Sequence, residues 1–264
     1  MALTCIQQKI PSRKSELFMI NLKSVMAFLM MVVPFALQAA ESKQDSVKAH
    51  FVKKFPQVDV SGVSKSDIEG IFQLETASGE LLYVSEDGKY IITGDMLKID
   101  GSQMVNLSEE WRIGKRVGAL HALKDNDMVV YPAKGEEKGE VLVFTDTSCG
   151  YCRKFHTEIP QLNQLGVTVK YLAWPRAGLQ SPAGQTMVNI WCSKDRPHAM
   201  TDAKSNKEVP APAGVMCDQN VLQDQINLGQ EIGVRGTPAV FSNDGRQLGG
   251  YMKAGDLADK LGVK

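Results

Sequence analysis

The sequence carries no excess charge: 30 Lys and Arg balance 30 Asp and Glu. A nucleic-acid binder normally advertises a basic surplus, so the balance argues against nucleic acid as a partner. No apolar run reaches the roughly 20 residues of a membrane-spanning helix. Aromatic residues are sparse at 7%, and only five cysteines occur in 264 residues. Internal repeats and low-complexity tracts are absent as well. What remains, 43% hydrophobic and 23% charged, is the composition of a folded soluble chain rather than a disordered one. The length suits two domains.

The apolar run that does occur is Val25 to Leu37 (VMAFLMMVVPFAL), thirteen residues without a polar side chain. Lys23 precedes it, and Ala39 and Ala40 follow just before the polar stretch that opens at Glu41. A basic flank, a short apolar core and a small-residue end predict a secretory signal peptide over residues 1–40. A buried helix would instead need a polar face, which this run lacks. Cleavage after Ala39 and after Ala40 both fit, and Met19 offers a second start that leaves Met1 to Phe18 outside the signal. Export puts the cysteines in an oxidising compartment. Cys5 leaves with the signal, and Cys149, Cys152, Cys192 and Cys217 remain. Four cysteines allow three pairings; the simplest joins Cys149 to Cys152 and leaves Cys192 with Cys217.

Three regions follow the signal. Residues 41–105 predict a small α+β domain. It opens with an amphipathic helix from Ser42 to Phe55, carrying Val47, His50, Phe51 and Phe55 near one face and stopped by Pro56. Short strands then include Ile68, Ile71, Phe72 and Leu74, then Leu81 to Val84, then Tyr90 to Ile92, with a hairpin at Asp87-Gly88. Few residues are available for a core, so this domain either borrows one from a second copy along an open strand edge or stands alone. Residues 106–124 predict a linker helix over Leu107 to Leu123, capped by Ser108, favoured by Glu109 and Glu110, and loosened by Gly114 and Gly118; an ordinary packed helix is the alternative. Residues 125–264 alternate in the α/β manner. The expected strands are Val129 to Tyr131, the near-continuous apolar run Glu140 to Thr145, and Val167 to Trp174. Helix is expected from Tyr151 to Leu165, interrupted at Pro160, and over most of Gln180 to Gly233, with a loop at Val209 to Gly214. A hairpin (Ala239 to Ser242 and Gln247 to Tyr251) and a helix from Ala254 to Leu261 close the chain.

The chemistry is carried by Cys149-Gly150-Tyr151-Cys152, between an apolar strand and a helix. Two intervening residues let a disulfide close with little backbone movement. A helix start supplies free N–H groups and a positive dipole end, which favour the thiolate of Cys149 as the accessible nucleophile. Cys152, one turn in, is expected to be more buried and to act as the resolving thiol. Zinc would need a second close pair, whereas Cys192 and Cys217 lie 25 positions apart. A purely structural role is poorly served by so short a loop. Arg153, Lys154 and His156 read as a solvated helix face. A second signal is Arg235-Gly236-Thr237-Pro238-Ala239-Val240-Phe241, where a proline precedes a strand; a cis bond at Pro238 is expected, a trans turn proline being the alternative.

Strand, Cys-x-x-Cys, helix and a proline-led strand together resemble the thioredoxin superfamily. That resemblance implies that the backbone of Thr237 faces the reactive sulfur and binds extended substrate, strand to strand. The signal, the cysteine-free N-terminal domain, the linker helix, the run FTDTSCGYC, the distal cysteines and GTPA resemble, more narrowly, the DsbC/DsbG family of periplasmic thiol–disulfide interchange proteins. The likeness covers essentially everything after residue 41. It implies a V-shaped homodimer built by the N-terminal domains, a thioredoxin-like catalytic domain with a helical insertion, and Cys192–Cys217 as a structural disulfide. It also implies a dithiol kept reduced by a DsbD-like membrane reductant, misoxidised exported proteins as substrates, chaperone-like binding, and no cofactor or metal. Gly150-Tyr151 favours the isomerase branch over DsbG-like reductases of oxidised cysteines, where Pro follows the first cysteine; a dimeric holdase is the other alternative. One departure stands out. Thioredoxin has a buried acid six residues before its first cysteine, whereas Val143 holds that place here, so no carboxylate relays protons from that point.

Overall fold

The computed structural model of this protein describes residues 42–211 and 220–263. The expected signal peptide over residues 1–40, and Cys217, lie outside the described residues.

The first helix, α1 (Lys43–Lys54), buries Val47 and Phe51. They pack on an antiparallel meander of β1 (Val60–Lys65), β2 (Ile71–Thr76), β3 (Leu81–Ser85) and β4 (Ile91–Thr93), in that order. Side chains in a strand alternate faces, so β2 buries Phe72, Leu74 and Thr76 while their neighbours are only partly covered. Across the ladder Phe72 faces Val84 and Leu74 faces Leu82, and these pairs form the small core. Two expectations fail here. His50 is exposed rather than on the apolar face: its ring lies over Gly88, where a Cβ would meet it at 2.4 Å. Ile68 is outside β2 and 52% exposed, because the chain bends there through Ser66, whose hydroxyl donates to the carbonyls of Ile68 and Ile71. A further hairpin, β5 (Leu97–Asp100) with β6 (Gln103–Asn106), had no place in the sequence reading. It leaves Leu97, Ile99 and Met104 exposed, as β4 does Ile91 and Ile92.

The next helix, α2 (Leu107–His121), is capped by Asn106, whose side chain accepts from the Glu109 amide at 2.9 Å. Ser108, the expected cap, is instead buried. Its hydroxyl meets Tyr83 Oη at 2.5 Å and accepts from the Met96 amide at 2.7 Å, which ties the helix to the N-terminal sheet. Farther along, Arg116 is 4% exposed, donates to the carbonyls of Ile232 (3.3 Å) and Gly245 (3.5 Å), and pairs with Glu109 at 2.6 Å. Leu120 joins a core cluster of the second sheet. The helix is thus anchored at both ends despite Gly114 and Gly118.

The second sheet has the order β11-β10-β8-β9-β7, built from β7 (Val129–Tyr131), β8 (Gly139–Thr145), β9 (Val167–Ala173), β10 (Ala239–Ser242) and β11 (Gln247–Gly249). Strands β8 and β9 run parallel; β10 is antiparallel to β8, and β7 to β9. Val141 and Val143 face one core cluster, Leu142 and Phe144 another. Burial on both faces is why β8 reads as a continuous apolar run. The helices are α3 (Gly150–His156), α4 (Ile159–Gln164), α5 (Pro182–Trp191), α6 (Arg196–Lys204), α7 (Asn220–Glu231) and α8 (Ala254–Leu261). The break expected at Pro160 falls earlier, at Thr157 and Glu158, and Pro160 sits in the first turn of α4, where its missing N–H costs nothing.

Helix α7 reaches the sheet only because position 229 has no side chain: a Cβ on Gly229 would lie 2.3 Å from Trp174 Cζ3 and 3.0 Å from Phe144 Cε1. Gly229→Ala is therefore expected to cost about 1–3 kcal/mol through overpacking, measured by denaturant unfolding. An unchanged midpoint would show that Trp174 can step aside.

Candidate active site

Pairing of β10 with β8 sets Ala239 opposite Phe144. The end of β8 therefore meets the start of β10, and the segments just outside them, Thr145 to Cys149 and Thr237-Pro238, face each other. The Thr237–Pro238 peptide is cis. Cys149 Sγ donates to the Thr237 carbonyl at 3.3 Å. Cys149 is the residue capping α3, and Cys152 lies one turn inside. Both are free thiols.

The expected contrast in exposure is slight: Cys149 is 4% exposed and Cys152 0%, because the Thr237 carbonyl lies over Cys149. The contrast in acidity is large. Burial pushes both thiols up. For Cys149 it is outweighed by the donors that surround a thiolate there, the Thr237 hydroxyl, the Cys152 amide and thiol, and the Tyr151 amide, so its pKa falls below that of an ordinary thiol. For Cys152 burial wins over the nearby Lys204 charge, and its pKa rises. Thr237 Oγ1 is the one buried side-chain polar atom among the described residues that lacks a hydrogen-bond partner. An unpaired buried group costs about 1–3 kcal/mol, and a thiolate at Cys149 offers the missing acceptor.

The loop before Cys149 is clamped by Asp146, 1% exposed. Its Oδ1 accepts from the Ser148 amide and hydroxyl, both at 2.7 Å, and its Oδ2 from Arg176 N (3.0 Å) and Nε (3.1 Å). Burial opposes the carboxylate but these donors outweigh it, holding its pKa below the usual range. Asp146 lies within the run FTDTSCGYC; Arg176 had no distinguishing signal.

Beyond the dithiol, Arg153 donates to the Thr147 carbonyl at 3.2 Å and Lys154 is exposed with its ammonium 4.6 Å from the Tyr251 ring centre. His156 departs from the solvated face expected for it. Its ring stacks on Tyr171 (5.9 Å, 22°) and meets Tyr131 edge-on (5.3 Å, 78°), and burial lowers its pKa to about 4. Tyr151, 65% exposed, stands beside Tyr251 with ring centres 6.3 Å apart, an open aromatic surface next to the thiols; Tyr251 carried no signal in the sequence. Cys192 is disulfide-bonded, and Cys217, expected as its partner, lies outside the described residues. Among the described residues no group of three His, Cys, Asp or Glu is placed to hold a metal ion.

Family models agree with this architecture. One described as a thioredoxin-like domain matches residues 124–262, and one described as the disulfide bond isomerase protein N-terminal domain matches residues 36–109. The thiol:disulfide interchange protein DsbC of Pasteurella multocida is 36% identical over 242 residues, covering 91% of this chain and 99% of that protein. The DsbC proteins of Salmonella typhimurium and Escherichia coli K12 are 42% and 40% identical, over 74% and 76% of this chain and 77% and 82% of their own lengths. With a dithiol at the head of a thioredoxin-like helix and an isomerase-type N-terminal domain before it, the chain belongs to the DsbC family of thiol:disulfide interchange proteins.

Proposed function

We propose that the protein works in the periplasm as a disulfide isomerase that rearranges or reduces wrong disulfides in exported proteins, with Cys149 as nucleophile and Cys152 as resolving thiol. The observation that carries this reading is the dithiol at the head of α3, with Cys149 Sγ 3.3 Å from the Thr237 carbonyl beside the cis Pro238; surroundings that lower the pKa of Cys149 and raise that of Cys152 support it. Attack on a disulfide needs a thiolate, and a thiol of lowered pKa is also the better leaving group.

The Cys149 thiolate attacks one sulfur of a substrate disulfide; that bond breaks, a mixed disulfide forms, and the other substrate sulfur leaves as a thiolate. The freed thiolate attacks elsewhere in the substrate and releases Cys149 unchanged, which is isomerisation. Where that stalls, Cys152 closes on Cys149 and the substrate leaves reduced. Thr237 and the cis Pro238 offer backbone for an extended substrate segment, and Gly150 and Tyr151 lie at the open edge, Tyr151 beside Tyr251. A reductant of the DsbD type returns Cys149–Cys152 to the dithiol. The exposed apolar strands β4, β5 and β6 suit pairing with a second copy, in keeping with the N-terminal family match. Cys192–Cys217 would tie down the helical insertion.

Reactivation of ribonuclease with scrambled disulfides in a glutathione buffer tests the reading. The mature protein is expected to turn over, Cys149→Ser to abolish turnover, and Cys152→Ser to accumulate a thiol-sensitive ladder of mixed disulfides. No turnover from fully reduced protein would favour a DsbG-like reductase; suppression of aggregation that survives loss of both thiols would favour a holdase.

The Asp146 clamp makes a separate prediction. Its folded pKa is lowered, so the stability it adds is present above the unfolded value of about 3.9 and is lost as pH falls through the folded one. Asp146→Ala is expected to cost about 2–4 kcal/mol at pH 7 and much less in acid. An equal loss at both pH values would remove the ionised clamp from the account.

A further inference from the structure

Lys204 closes α6 and is 5% exposed. Lysine is almost never buried without a partner, yet among the described residues no carboxylate accepts a hydrogen bond from its ammonium. The carboxylate of Asp146 is engaged by Ser148 and Arg176, and Lys204 Nζ donates instead to the Asp146 backbone carbonyl at 3.0 Å and to Thr145 Oγ1 at 2.7 Å. Its third side lies 5.5 Å from the Tyr171 ring centre. The helix that carries Cys152 packs on the helix that carries Lys204, and the same Thr145 hydroxyl acts on the Cys152 thiol, favouring its ionised form, so the hydroxyl stands between the buried amine and the buried thiol.

Among the charged or titratable groups around Lys204, Cys152 favours its charged form most, ahead of Asp146 and Cys149. From α3 and its cap come Cys149, Cys152, Arg153 and His156; Asp146 follows β8 directly, and Tyr171 lies on β9. Arg153 repels it. His156, at about 4, is neutral at pH 7, and burial keeps Tyr171 protonated. Between the two thiols, the named influences on Cys149 are burial, Thr237, Cys152 and Tyr151, whereas Lys204 ranks directly after burial for Cys152. Burial also brings Lys204 down to about 8, where an amine exchanges its proton near neutral pH.

We propose that Lys204 is a positioning residue for the resolving step: its amine accepts the Cys152 proton across the Thr145 hydroxyl, and the ammonium so formed holds the Cys152 thiolate ready to attack. The step balances. Cys152 S–H gives its proton to neutral Lys204; the thiolate attacks Cys149 Sγ; the Cys149–substrate bond breaks as Cys149–Cys152 forms; and the substrate sulfur leaves with the electron pair. A buried lysine from the helical insertion thereby does the proton handling for which Val143 offers no carboxylate. This inference rests on Cys152 being the resolving thiol.

The test is a single turnover of the reduced mature protein with oxidised glutathione, acid-quenched and read by mass as two steps: loading of glutathione on Cys149 and its release as the Cys149–Cys152 disulfide closes. Lys204→Gln keeps a donor for Thr145 and the Asp146 carbonyl but has neither charge nor basicity; Lys204→Met removes the donors too. In both, loading is expected to be unchanged, release to slow by roughly 100-fold or more at pH 7, and the rise of release with pH to move upward. Equal slowing of both steps, or release at the unaltered rate with an unaltered pH profile, would overturn the proposal, and Lys204→Gln decides it should Lys204→Met fail to fold. Cys152→Ser separates the two readings: it is expected to load and not release, and release at the full rate would overturn the resolving role and the proposal with it.

Discussion

The dithiol depends on one strand pairing. Because β10 lies antiparallel to β8 with Ala239 opposite Phe144, the end of one strand and the start of the other share an edge of the sheet. Thr237 then covers Cys149 without any long-range search by flexible loops. A one-residue slip in that pairing would turn every side chain of β10 to the other face. It would carry the Thr237 carbonyl away from Cys149 Sγ and undo both core clusters at once. Double-sided burial of β8, between Val141 and Val143 on one side and Leu142 and Phe144 on the other, is what makes such a slip costly.

From that edge two different environments arise one helical turn apart. Cys149 is surrounded by donors, namely the Thr237 hydroxyl, the amides of Tyr151 and Cys152, and the Cys152 thiol, and these suit a thiolate. Cys152 is sealed in, with Lys204, the Asp146 backbone, Thr145 and Thr237 as its polar company, and burial outweighs them. The buried hydroxyl of Thr237 stands unpaired in the resting dithiol, a small cost that falls on the state before attack. Asp146 and Arg176 hold the connecting loop so that these separations persist. Function here is less a matter of the two cysteines than of keeping their surroundings unlike.

The parts legible in the sequence were those written in local pattern. The continuous apolar run of β8, the Asp87-Gly88 hairpin, the dithiol between strand and helix, and the proline before β10 are each visible within a few residues. Local pattern misled where a tertiary partner outbid it. Ser108 has the chemistry of a cap, but Tyr83 and Met96 claim its hydroxyl, and Asn106 does the capping. His156 sits among charged neighbours in sequence and among tyrosine rings in space. Nothing local marks Lys204; only the packing of α6 on β7 and α3 buries its amine against the Thr145 hydroxyl and the Asp146 carbonyl. The β5–β6 hairpin was missed because its apolar residues point outward, so no core-facing alternation marks it.

The central claim is that the folded chain separates the acidities of its two thiols, and titration of each cysteine measures that directly. Carbon-13 at Cβ of Cys149 and Cys152, followed against pH by NMR in the reduced mature protein, reports both in one sample. The account predicts that Cys149 titrates below, and Cys152 above, the roughly 8.5 of a free thiol. Two thiols titrating together, or Cys152 losing its proton first, would contradict it.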